Sequence, residues 1–219
     1  NKMMENKKHV FWQAFFITML LFLLGLVFGV YIEQLRTDDV NVAFYQSEVS
    51  LYDSFALGKL LDNNLTSCSD LKEASTNFAD KIYDEAKQLE QYDTKSKLTD
   101  SMKIVHKKYD LLRTLLWMNV IEIEQRCGKI NRVVYLYNYG TEDIETKSKQ
   151  AVFGRILNDL KNEKGNEFIL IPIAANQGIE SLNYVMKKYN INKFPAVLIN
   201  ENKTFYEPTT VSEIEKYLD

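Results

Sequence analysis

The chain has 219 residues, 46% of them apolar, with 27 basic and 30 acidic side chains and a formal net charge of −3. That near balance gives no electrostatic case for nucleic-acid binding, and the length admits either one large domain or an anchor with one or two small ones. The two histidines, His9 and His106, stand far apart and form no metal-ligating constellation. With neither of them after residue 106, a Ser-His-Asp arrangement has no base in the C-terminal part.

Residues 10–32, from Val10 to Ile32, carry no charge. As a helix they are long enough to cross a hydrocarbon core about 30 Å thick. Lys2, Lys7 and Lys8 precede this stretch, and Glu33, Asp38 and Asp39 follow it with Arg36. The basic flank predicts a cytoplasmic tail over residues 1–9, a single-pass anchor in the cell membrane and an extracytoplasmic remainder, with Trp12 and Tyr31 as interfacial aromatics. The rival reading is a cleaved signal peptide, but the apolar run exceeds the usual length and no small-x-small cleavage pattern follows it. Gly25 and Gly29 make a Gly-x-x-x-Gly pair that could bring two spans together as a homodimer, although glycine is common in membrane helices.

Residues 33–128 have helical periodicity. Val42, Tyr45, Val49, Tyr52, Ala56 and Leu60 recur at three and four, broadened by Phe44, Leu51 and Phe55. No proline stands between them and the span, so the helix can continue from it. Residues 63–67 break the pattern, and Ser67 with Asp70 reads as the start of a second helix that buries Leu71, Ala74, Phe78, Ile82, Ala86 and Leu89. After a loop over 92–96, a third helix capped by Thr99 or Asp100 carries Val105, Tyr109, Leu112, Leu116, Ile123 and Cys127, and Gly128 closes it. Three antiparallel helices predict a small bundle or stalk. Cys68 would open the second helix and Cys127 would end the third. On an exported side they could form an intrachain bond, an interchain bond or remain thiols; a structural staple is favoured over a catalytic pair.

From residue 129 the grammar changes. Val133–Tyr137 and Phe168–Ile173 read as buried strands, with Pro172 near an end or at a sheet edge. Helices are expected over 147–161, facing inward with Ala151, Val152, Ile156, Leu157 and Leu160, and over 178–189. Pro195 opens a third strand, Ala196–Ile199, and a turn over 200–203 returns the chain through Thr204–Tyr206. A last helix over 211–218 presents Val211, Ile214 and Leu218. The order predicts an α/β domain over 129–219 with a small mixed sheet and helices on both faces.

That element order, together with Phe194-Pro195-Ala196-Val197-Leu198-Ile199-Asn200 before the final hairpin and helix, resembles the thioredoxin-like superfamily over about Lys129 to Asp219. The resemblance implies that Pro195 holds that family's cis-proline position, with Phe194 beside it on a peptide-facing surface. A redox-active member would carry Cys-x-x-Cys after the first strand. Here that loop runs Asn138-Tyr139-Gly140-Thr141-Glu142-Asp143-Ile144-Glu145, so ordinary thiol–disulfide exchange lacks its nucleophile.

The favoured reading is a membrane-tethered, redox-inactive thioredoxin-like module that binds a peptide or envelope protein through Tyr139, Phe194 and Pro195. It needs no cofactor, metal or catalytic residue. The alternatives are a membrane-associated thiol–disulfide oxidoreductase using Cys68 and Cys127, and an architectural scaffold. Asn64-Leu65-Thr66 and Asn202-Lys203-Thr204 are formal glycosylation acceptors at Asn64 and Asn202. The acidic trio Glu142, Asp143 and Glu145 is read as a solvated loop.

Overall fold

Helix α1 (Lys2–Asp62) contains no proline, so nothing in the sequence removes a backbone donor along it. The computed structural model describes residues 2–62, 67–93 and 100–218, with side chains described at 10–35, 45, 48–53, 56, 67–85 and 103–218. The chain divides into two compact units, Asn1–Ala43 and Phe44–Asp219.

In the first unit, Val10–Leu35 is a 26-residue helical stretch of mean hydropathy 2.6, long and apolar enough to cross a membrane, and none of it is buried within the chain. Within it Thr18 Oγ1 donates to the Ala14 carbonyl at 2.9 Å, so this hydroxyl is satisfied locally.

The second unit begins with the last turns of α1. Leu51 is fully buried there and Lys81 Nζ donates to Ser50 Oγ at 3.2 Å, so this part of α1 lies on α2 (Cys68–Asp93). Of the periodic apolar residues read in sequence, Tyr45, Val49, Tyr52 and Ala56 are exposed. One neighbour, α2, covers only the side that carries Leu51. The side chains of Val42, Phe44, Phe55 and Leu60 lie outside the described residues.

Helix α2 starts as Ser67 and Asp70 suggest. Asp70 Oδ2 accepts from Ser67 N at 3.1 Å, and Ser67 Oγ accepts from Asp70 N at 3.2 Å, a reciprocal cap. It buries Leu71, Phe78, Ala79 and Ile82, with Ala74 half-buried; Ala86 and Leu89 fall outside the described side chains. Helix α3 (Asp100–Cys127) ends at Gly128, whose φ of 75° and N–H bond to the Glu124 carbonyl at 3.0 Å form the expected left-handed stop. Its expected caps, Thr99 and the Asp100 side chain, lie outside the described residues, as do 94–96 of the loop expected over 92–96, whereas Tyr92 and Asp93 belong to α2. Cys68 and Cys127 are joined by a disulfide with Cα atoms 5.4 Å apart, tying the start of α2 to the end of α3.

Four strands follow: β1 (Arg132–Tyr137), β2 (Ile169–Ala174), β3 (Ala196–Ile199) and β4 (Lys203–Phe205). Their order in the sheet is β2-β1-β3-β4, with β1 parallel to β2 and antiparallel to β3, and β4 antiparallel to β3. Pro172 is tolerated in β2 because an outer strand has a side whose N–H groups need no ladder partner. Alternation sends Val133, Tyr135, Leu170, Val197 and Ile199 to one face. There they form a core with Phe153, Leu157 and Leu160 of α4 (Ile144–Lys164) and with Ile214 of α6 (Val211–Glu215) and Leu218 just beyond it. Helix α4 is longer at both ends than its periodicity indicated. Ala151 and Val152, expected inside, are exposed, because Phe153 takes the inward position one turn before Leu157.

The opposite face carries Val134, Leu136, Ile171, Ile173, Ala196 and Leu198, all buried. Helix α3 crosses it. Asp110 Oδ1 accepts from Ala174 N at the end of β2 at 3.1 Å, and Trp117 Nε1 donates to Glu201 Oε1 in the β3–β4 turn at 2.6 Å. Helix α5 (Glu180–Lys188), burying Leu182 and Met186, packs beside α3, and α2 packs on both α3 and β2. The composition break at residue 129 therefore falls inside one compact unit, and the helices cover the sheet rather than standing apart from it as a stalk.

Candidate functional site

The end of the sheet where β1 and β2 finish and β3 begins gathers three loops. The register pairs Leu136 with Ala196, so Pro195 stands beside the last residue of β1, one position beyond the final paired residues. The Phe194–Pro195 peptide is cis; Pro195 is buried and Phe194 half-buried. The facing β1–α4 loop is held from two sides. Gln150 of α4 binds both backbone groups of Asn138, accepting from its N–H at 2.9 Å and donating to its carbonyl at 3.1 Å. Asn176, after β2, does the same to Tyr139, both bonds at 2.8 Å. Two amide side chains thus replace a ladder where the strand ends and fix Tyr139 in place.

Tyr139 does not stand free in this loop. Its ring lies 4.5 Å from that of His106 on α3, tilted by 37°, and both rings are largely withdrawn from water. One and two turns further along α3, Asp110 and Arg113 are buried as well. Arg113 Nη1 donates to Asp110 Oδ1 at 3.2 Å, and Asp110 also accepts from the Ala174 N–H. Burial pushes the Asp110 carboxyl above its ordinary value, a push that the neighbouring Arg113 guanidinium, the Ala174 N–H and His106 oppose but do not cancel. The acid thus contributes an acceptor to the end of β2 and a counter-charge to Arg113.

The acidic loop has local explanations. Asp143 caps α4, its Oδ2 accepting from Thr146 N at 2.7 Å, and the Thr146 donors hold its carboxyl below the usual range. Glu145 and Glu207 both pair with Lys149, at 3.0 and 2.7 Å. Among the described residues no group of three His, Cys, Asp or Glu side chains could hold a metal ion. His9 has no described side chain.

The cysteines are elsewhere. Cys127 leads through Gly128 into the first residue of β1, whereas Pro195 lies beside its last, so the disulfide and the Pro195 surface occupy opposite ends of a strand six residues long, roughly 20 Å. Near the disulfide end, Arg132 is buried between Glu124 of α3 (2.7 Å) and Glu201 of the β3–β4 turn. Glu201 also receives the Trp117 bond, so this network locks α3 to the turn. Asn202 is exposed in that same turn; Asn64 lies outside the described residues.

Of the residues singled out in sequence, Tyr139, Phe194 and Pro195 share one end of the sheet, and Cys68 and Cys127 share the other. Sequence reasoning missed His106, Asp110 and Arg113. The signal was present, since 106, 110, 113, 117 and 120 are spaced by four and three and form a second stripe on α3 that ends in Trp117 and Val120, both fully buried. A helix covered on two sides carries two inward stripes, and polar members disguise one of them. No family model, curated protein or solved structure matches this chain.

Proposed function

We propose that the chain is a membrane-anchored, redox-inactive thioredoxin-like module, with its N-terminus cytoplasmic and its folded part outside, that binds a peptide or envelope protein at the Pro195 end of its sheet. The observation that carries this reading is the antiparallel placement of β3 against β1. It puts Phe194 and Pro195 beside a cysteine-free β1–α4 loop, while the two cysteines form a disulfide at the far end. The strand order β2-β1-β3-β4, with its parallel and antiparallel pairs, supports the family resemblance in the same way. A peptide would meet the half-buried Phe194 ring and the rigid Asn138–Tyr139 backbone. A surface fixed in advance loses little entropy when a partner is ordered on it.

The experiment places a photo-crosslinking amino acid at Phe194, and separately at the exposed Gln125 near the disulfide end, in the full chain in intact membranes. A discrete adduct at Phe194 that is absent at Gln125 is expected. Equal labelling at both positions, or none at Phe194, would overturn the reading. The scaffold alternative draws on one observation, the exposed Tyr45, Val49, Tyr52 and Ala56 of α1, whose spacing of four, three and four suits a helix pair. The same crosslinker at Tyr52 would return an adduct of twice the chain mass if α1 pairs with itself.

A further inference from the structure

On the β2 side of β1, a cavity of about 530 Å³ opens between the sheet, α2 and α4. That volume is within the range of small-molecule sites. Its walls are aromatic: Tyr83 of α2 with Tyr135 and Tyr137 of β1, the last two stacked at 5.4 Å and 22°. Among the described residues its charge is of one sign, since Arg113 and Arg155 line it and no described carboxylate does. Arg113 is 95% withdrawn from water, and its Nε is buried without a hydrogen-bond partner among the described residues. Among the described residues its ion pair is to Asp110, made through Nη1, so Nε is left unused. Arg155 is exposed on α4 and makes no ion pair with a described residue. Asn158, one turn beyond it, adds a half-buried amide.

Two cations from different helices converge on a space walled by tyrosine rings, and a buried guanidinium lacks part of its hydrogen bonding. A bare inorganic anion would meet the cations but waste the aromatic walls, and a neutral apolar molecule would leave Arg113 as it is. We infer that this cavity is a binding site for a small organic anion, a carboxylate carried on an aromatic or short apolar body, with Arg113 and Arg155 receiving the carboxylate and Tyr83, Tyr135 and Tyr137 enclosing the body. An arginine fork and a carboxylate match in geometry as well as charge, so the acid is selected over its amide.

The test uses the full chain in nanodiscs, with phenylacetate and its neutral analogue phenylacetamide as probes in saturation-transfer NMR titrations. Saturable phenylacetate binding is expected, tighter than phenylacetamide by about tenfold or more. Because Arg113→Gln would alter a buried pair and could unfold the chain, the variants are Arg155→Ala and Gly154→Leu. Arg155→Ala reduces the preference for the acid by about tenfold. Gly154 lines the cavity and a Cβ added there meets nothing within 4 Å, so leucine fills the space without disturbing α4 and abolishes binding of both probes with the thermal melt unchanged. The inference is overturned by absence of saturable phenylacetate binding, by equal binding of acid and amide, by inorganic phosphate binding as tightly as phenylacetate, or by insensitivity to both substitutions.

Discussion

Asp110 shows how one buried acid can be needed for its oxygen rather than its charge. Its carboxyl takes the Ala174 N–H at the end of β2 and faces Arg113, yet burial outweighs both and holds its pKa above the ordinary 3.8. The folded chain therefore binds this proton more readily than the unfolded chain does. The carboxyl's contribution to stability is greatest below pH 3.8 and declines as pH rises through the window up to the raised folded value. Asparagine keeps an acceptor for Ala174 and removes the ionisation. We expect Asp110→Asn to be at least as stable as the native chain at pH 7, with the difference closing as pH falls toward 4. Asp110→Ala orphans the Ala174 N–H and is expected to cost about 1–3 kcal/mol. Urea midpoints at the two pH values decide it: an asparagine variant as damaged as the alanine variant would mean that the ion pair with Arg113, not the acceptor, is what matters.

Among the elements, the disulfide acts on the helices and not on the candidate site. It joins residues 59 apart at the adjoining ends of α2 and α3, and both helices are buried against β2. Replacing both cysteines by serine should cost about 2–4 kcal/mol through the freed unfolded chain, read as a shift in urea midpoint. Photo-crosslinking at Phe194 should be unchanged, since the bond lies a strand length away. Loss of the Phe194 adduct at a denaturant concentration where the variant is folded would contradict this separation. How far these elements were legible depended on how many sides each one buries. The cap of Ser67 and Asp70, the stop at Gly128 and the continuous apolar run of β1 are local, and each stands where the sequence puts it. Helix α1 runs on from the apolar stretch as its periodicity indicates, but the fold leaves Tyr45, Val49 and Tyr52 of that period exposed. Helix α3 was half read because its polar stripe through His106, Asp110 and Arg113 has no hydrophobic signal, although the sheet buries it. The cavity was not legible at all. It depends on Arg113 reaching the β2 side of the sheet toward residues of α2, α4 and β1, which no spacing along one element records.

At the scale of the molecule, the question is what counts as the folding unit of the part that follows the apolar helix. Composition places a boundary between residues 128 and 129. The contacts run across it: Trp117 and Arg132 meet on Glu201, Asp110 holds the end of β2, and α3 packs on β2. A fragment of residues 129–219 would expose Val134, Leu136, Ile171 and Leu198, each buried in the full chain and each worth about 1.5–3 kcal/mol when withdrawn from water. It would also leave the buried Arg132 without Glu124. Those four side chains together, about 6–12 kcal/mol, are as large as the whole margin of a small domain, about 5–15 kcal/mol. We therefore expect the 129–219 fragment to show no cooperative thermal transition in circular dichroism, and to aggregate, while residues 44–219 with the disulfide formed melt in a single step. A sharp, reversible melt of the shorter fragment would make the helices an appendage to a self-sufficient domain. Its absence would make α2 and α3 part of the sheet's own core, so that binding at Pro195, in the cavity beside Arg113, or along α1 acts on one cooperative body.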